Sequence, residues 1–110
     1  MEISVRAADQ VQVLEFAGML NTQTSPDAQD RLTQLIEAGE SKILVNFEKL
    51  EYISSAGLRV LLTAAKQLKT AGGELRICSL NDIVKEVFDI SGFSTIFKVF
   101  SDETEALQEY

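Results

Sequence analysis

An α/β domain built on a mixed, mostly parallel sheet is the fold class this sequence predicts, and three observations predict it. Hydrophobic periodicity switches repeatedly between short strand-like runs and helix-length amphipathic stretches along the chain. Residues 41–47 form a near-continuous apolar run, the pattern of a strand buried on both faces of a parallel sheet. Two strand-like segments precede any helix and are joined by a short polar turn, so an antiparallel hairpin edges the sheet. The element order reads β-β-α-β-α-β-α-β-α, with about four helices, in a single domain over residues 1–110.

Residues 2–7 and 11–17 read as the hairpin strands. Ile3 and Val5 alternate with polar neighbours, Val11, Val13, Leu14 and Phe16 do so less cleanly, and Ala8, Asp9 and Gln10 suit the turn. Gly18 closes the second strand. The first helix begins with Ser25 as its cap and Pro26 at the first helical position, where a fixed φ and a missing donor are tolerated. Asp27 and Asp30 favour the positive end of its dipole, Ala28, Leu32, Leu35 and Ile36 share one face, and Gly39 stops it. The second helix covers about residues 55–70, with Leu58, Leu61, Leu62, Ala65 and Leu68 in one stripe. Lys66 and Lys69 lie near its negative end, and Gly72 and Gly73 terminate it.

Residues 74–78 read as the next strand, and a third helix covers about 81–90 with Ile83, Val84, Val87 and Phe88 in line. Residues 96–100 make a last short strand and 102–107 an acidic terminal helix. Strands separated by helices pair in parallel through right-handed crossovers. Both crossover helices fall on one side of the sheet, which leaves the other face with less cover.

Composition narrows the function. Ten Lys and Arg against seventeen Asp and Glu give a net charge of −7, so phosphate backbones and anionic membrane surfaces repel the domain, and neither nucleic acid nor membrane is an expected partner. There is no histidine and one cysteine. A Ser-His-Asp or Cys-His catalytic group cannot be assembled, a zinc site of the usual type is excluded, and no cofactor is expected. Cys78, in an apolar run, reads as a small buried hydrophobe in a reducing compartment. Without a signal-peptide layout at the start or a run of about twenty apolar residues, the chain reads as soluble and cytoplasmic. Glu48, Glu51 and Asp82 read as solvated charges, and Phe47, Phe88, Phe93, Phe97 and Phe100 as core aromatics.

The junction 50–62 carries the most information. Ser54 and Ser55 stand immediately before the long second helix, in the zone past the carboxyl ends of the strands where sites of open α/β sheets collect. Either serine can cap the helix, and a capping hydroxyl can also be modified; the helix start tolerates an anion such as a phosphate ester. Gly57 in the first turn costs about 1 kcal/mol against alanine. It signals either a close approach to the backbone or tight packing of that turn on the sheet.

Five segments then point to one family: Phe16 to Thr24, Ile43 to Phe47, Ile53-Ser54-Ser55-Ala56-Gly57-Leu58, Ala71-Gly72-Gly73-Glu74-Leu75, and Phe88-Asp89-Ile90-Ser91-Gly92-Phe93. Over nearly its whole length the chain resembles the STAS-domain anti-sigma factor antagonists of bacterial partner-switching systems. The resemblance implies a non-enzymatic switch. The unphosphorylated protein binds an anti-sigma factor with serine kinase activity and releases its sigma factor; phosphorylation abolishes binding, and a PP2C-type phosphatase resets it. The modified serine of the family motif falls on Ser55, with Ser54 as second choice. The implied partner surface comprises Asn21, Thr22, Thr24, Ser54, Ser55, Ala56, Gly57, Leu58 and Arg59. The sequence departs from the family pattern at three of these positions: Ser54 and Asn21 stand where aspartates are usual, and Arg59 where glycine is frequent. A different reading within the family is a STAS-domain structural subunit of a lipid-transport or stress-signalling complex, without a phospho-switch.

Overall fold

A two-residue turn with Asp9 at φ +56 joins β1 (Glu2–Ala8) to β2 (Val11–Leu20) in an antiparallel hairpin with Ala8 opposite Val11. The computed structural model describes residues 1–108 and 110. After the hairpin come α1 (Ser25–Glu37), β3 (Lys42–Asn46), β4 (Leu50–Ile53), α2 (Ser55–Thr70), β5 (Glu74–Cys78), α3 (Asp82–Ser91), a 3-10 turn at Phe93–Thr95, β6 (Lys98–Phe100) and α4 (Glu103–Leu107). The strands run in the order β1-β2-β3-β5-β6, antiparallel only at the hairpin, with β4 pairing β2 off this path. The mixed α/β architecture and the four helices are those the sequence predicts.

One face of the sheet carries the main core. Leu14, Phe16, Ile43, Val45, Phe47 and Ile77 pack under Ala28 and Leu32 of α1, Leu61, Ala64 and Leu68 of α2, and Val84 and Phe88 of α3. Phe16 and Phe47 meet edge to face at 5.5 Å, the preferred geometry for two aromatic quadrupoles. The other face holds a smaller cluster of Val11, Val13, Leu44 and Cys78, closed by Ala106 of α4 and by the tail. Buried Arg76 stacks its guanidinium 4.2 Å from the Tyr110 ring centre and donates from Nη1 to the carbonyls of Ala106 and Gln108, each at 2.8 Å. The Tyr110 hydroxyl reaches back to the carbonyl oxygens of Ile43 and Glu74. The thinly covered face is thus held by a pinned C-terminal segment.

Three local features differ from the sequence reading. Gly18 does not close β2. At φ +103 it sits where the register against β4 shifts, Glu51 being the extra residue between the partners of Gly18 and Met19, and the strand continues to Leu20. The continuation pairs with a sixth strand, β4, whose Tyr52 and Ile53 lie opposite Met19 and Leu20. Ser25 is the first residue of α1 rather than its cap, its hydroxyl donating to the Asn21 carbonyl at 2.5 Å; Thr24 holds the cap position without a side-chain cap bond, its own hydroxyl being engaged with the Asn21 N–H and the Met19 carbonyl.

Candidate functional site

The parallel pairing of β2 and β4 sets two chain segments side by side. Leu20 and Ile53 end their strands in register, and the Ser54 N–H donates to the Leu20 carbonyl at 2.9 Å. Asn21–Ser25 and Ser54–Ser55 therefore leave the sheet together, past the carboxyl ends of adjacent strands.

The two serines divide their work. Ser54 is the N-cap of α2, with extended backbone (φ −97, ψ 175), and its Oγ accepts from the Gly57 N–H at 3.4 Å. Ser55 follows as the first helical residue; its side chain is exposed and makes no hydrogen bond among the described residues. The first N–H groups of a helix have no intrahelical acceptor, and this one has no acidic residue in its first turn. The result is a free hydroxyl beside unsatisfied donors at the positive end of a sixteen-residue helix.

Gly57 is required by packing. A Cβ there would lie 2.8 Å from Cγ1 of Ile53, 2.8 Å from Cγ of Leu20 and 3.0 Å from the Leu20 carbonyl oxygen. The helix start sits directly on the ends of β2 and β4, which fixes the height at which Ser55 emerges. Of the two sequence alternatives for this glycine, tight packing on the sheet is the one observed.

The facing loop is rigid for its own reasons. Asn21 Oδ1 accepts from the N–H groups of Gln23 (3.0 Å) and Thr24 (3.2 Å), and Thr24 Oγ1 accepts from the Asn21 N–H (2.9 Å) while donating to the Met19 carbonyl (2.9 Å). Both jobs, the Asn21 turn and the Ser54 cap, need only an acceptor oxygen, which an aspartate would supply equally. Asparagine and serine at these two places keep the local geometry and leave the surroundings of Ser55 without that negative charge.

The other residues of the expected surface fall into two groups. Thr22 and Arg59 are exposed and Ala56 is half-buried, whereas Gly57 and Leu58 are buried and shape the site from beneath. Sequence reasoning missed two apolar neighbours: Met19 and Tyr52, register partners just before the two loops, are 50% and 44% exposed. Their signal lay only in β4, which the pattern did not reveal. Cys78 is fully buried on the far strand, its thiol pushed up to about 11 by burial, so it is an unreactive core residue. Among the described residues there is no cluster of His, Cys, Asp and Glu suited to a metal, and no helix is long and apolar enough to cross a membrane.

The STAS domain family matches residues 2–106. The chain belongs to this family. A candidate anti-sigma factor antagonist of Bordetella bronchiseptica, BtrV, is 37% identical to this STAS domain over 96% of the chain and 91% of the relative. The anti-sigma F factor antagonist of Paenibacillus polymyxa is 28% identical over 90% of the chain and 86% of its own length. Among solved structures, the unphosphorylated form of the anti-sigma factor antagonist SpoIIAA superposes with a TM-score of 0.84 at 21% identity, covering 96% of this chain and 93% of that one. That likeness confirms the STAS fold, including its antiparallel hairpin and parallel remainder.

Proposed function

We propose that this STAS domain is an anti-sigma factor antagonist whose binding is switched by phosphorylation of Ser55. In this reading the unmodified domain docks on an anti-sigma factor that is also a serine kinase, through the surface formed by Asn21, Thr22, Thr24, Ser54, Ser55, Ala56 and Arg59, with Met19 and Tyr52 as its apolar flank. The observation that carries the reading is the division of labour at the helix start: Ser54 is occupied as a cap, and Ser55 is exposed with its side chain making no hydrogen bond among the described residues. The match to BtrV over nearly both full lengths supports it.

The physics of the switch is local. A phosphate on Ser55 adds about −1.5 to −2 charges and three acceptor oxygens. The free N–H groups and dipole of α2 accommodate that charge, a gain of about 0.3–1 kcal/mol, so the fold persists. A partner surface shaped to a bare hydroxyl instead meets bulk and a charge it must desolvate. A mismatch of about 3 kcal/mol lowers affinity more than a hundredfold. The domain is substrate and switch rather than enzyme, and a PP2C-type phosphatase resets it.

The test is intact-mass analysis after incubation with ATP and an anti-sigma factor kinase that binds this domain, followed by peptide mapping. One added phosphate on Ser55 is expected, and none on a Ser55→Ala protein. A phosphate found only on Ser54, or no phosphate with any cognate kinase, overturns the assignment.

A further inference from the structure

Helix α2 carries Arg59, Lys66 and Lys69 and no Asp or Glu, in a chain whose net charge is −7. The two lysines lie in its C-terminal half, where cations suit the dipole. Arg59 does not; it sits one turn from the positive end. It is exposed and makes no ion pair or side-chain hydrogen bond among the described residues. Its helical neighbours at three and four positions are Ala56, Ser55, Leu62 and Thr63, none of them acidic. On the elements packed against α2, the charged groups are Asp27, Asp30, Arg31 and Glu37 of α1, Glu51 of β4, and Glu74 and Arg76 of β5. Glu74 and Arg76 bond each other, Arg31 donates to the Ile3 carbonyl, and none of the acids of α1 or β4 pairs with Arg59.

Ser55 and Arg59 are four residues apart on one helix, so their side chains lie on the same face, one above the other. The order also matters: an anion four residues N-terminal to a cation is the favourable arrangement. We propose that Arg59 is the intramolecular counter-ion of phosphorylated Ser55, a positioning residue that folds back one turn onto the phosphate and holds the modified form in one geometry. The inference rests on Ser55 as the modified residue. Arginine suits the role because its planar fork gives two parallel donors to phosphate oxygens. Unphosphorylated, Arg59 is available to the partner; phosphorylated, it is withdrawn from it. The modification therefore removes a positive contact as well as adding a negative one.

The experiment separates this pairing from the identity of the natural acceptor. Phosphoserine is installed at position 55 of the full chain by genetic-code expansion, with no kinase involved, and phosphorus NMR follows its second ionisation. Pairing with Arg59 lowers that pKa from about 6, and the Arg59→Gln protein titrates about 0.2–0.4 pH unit higher. Arg59→Lys recovers part of the shift, and 0.5 M salt narrows the gap, since screening at about 4 Å weakens an exposed pair. Because Arg59 is exposed and makes no side-chain bond among the described residues of the unmodified domain, the variants should fold, and far-UV circular dichroism verifies it. Identical titrations for the parent and Arg59→Gln proteins overturn the proposal. Failure of the kinase to label Ser55 is a separate outcome, which defeats the functional reading while the titration still reports the pair.

Discussion

Replacing Gly57 by alanine sets two effects against each other. Alanine favours a helix over glycine by about 1 kcal/mol. Against this, the new methyl would lie 2.8 Å from side-chain carbons of Ile53 and Leu20 and 3.0 Å from the Leu20 carbonyl oxygen. Both side chains are fully buried, in an interior packed closely enough that a displaced side chain meets its neighbours. The oxygen belongs to backbone that accepts the Ser54 N–H, so relieving the clash pulls α2 away from the junction that holds Ser54. Overpacking costs about 1–3 kcal/mol, and a backbone obstacle places this case at the upper end. The net expectation is a loss of about 1–2 kcal/mol. For a domain of this size the midpoint of thermal unfolding falls by roughly 5–10 °C. Calorimetry and urea denaturation measure both quantities. A Gly57→Ala protein as stable as its parent, or more stable, would refute the packing argument and leave the glycine without the role given to it.

Three further outcomes follow from the structure. Tyr110→Phe removes the hydroxyl that meets the carbonyls of Ile43 and Glu74, and urea denaturation should register a loss of about 1 kcal/mol with secondary structure unchanged. Burial alone would raise the Glu74 carboxyl, but hydrogen bonds from Lys98 and Arg76 more than offset it and hold it below the ordinary range; for Glu103 the hydrogen bond from Arg6 leads. Carboxylates depressed in the folded state stabilise above their unfolded pKa and lose that contribution as pH falls through the folded one. Stability should therefore decline on acidification below about pH 4.5, and less steeply in Glu74→Gln; equal slopes in the two proteins would contradict the assignment. The Cys78 thiol should resist a disulfide reagent at pH 8 in the folded protein and react after denaturation, whereas rapid reaction in the native state would show that its strand face is open.

Much of the fold was legible because local pattern and tertiary role agree. The stripe from Leu58 to Leu68 and the glycines after residue 70 delimit α2 as observed, from Ser55 to Thr70. The stripe from Ile83 to Phe88 marks α3, observed from Asp82 to Ser91, with Asn81 just outside it as the cap whose Oδ1 accepts from the Val84 N–H at 2.8 Å. Where the structure differs, a contact outside the element's own pattern decided, long-range for β4, Gly18 and the tail and local for Ser25. β4 has four residues, two of them exposed, and it exists because the tail of β2 outlasts β3 and needs a partner. Gly18 looks like a terminator in sequence, but its positive φ lies at the register shift against β4, and its N–H donates to the Lys49 carbonyl on the incoming segment. Ser25 carries the residue type and following proline of a cap, yet the Asn21 carbonyl claims its hydroxyl. The tail has no local signal for its docking, which depends on Arg76 thirty residues or more away. At the site, the paired serines and Gly57 were visible as candidates; which serine caps and which is free depended on backbone geometry that composition does not encode.

In the proposed switch, one exposed hydroxyl, that of Ser55, governs association with another protein. Isothermal titration of the cognate anti-sigma factor with the unmodified domain, and with the same domain carrying phosphate on Ser55, addresses it most directly. Tight binding is expected in the first case and at least a hundredfold weaker binding in the second, with Ser55→Ala remaining tight. Equal affinities for the two forms would contradict it.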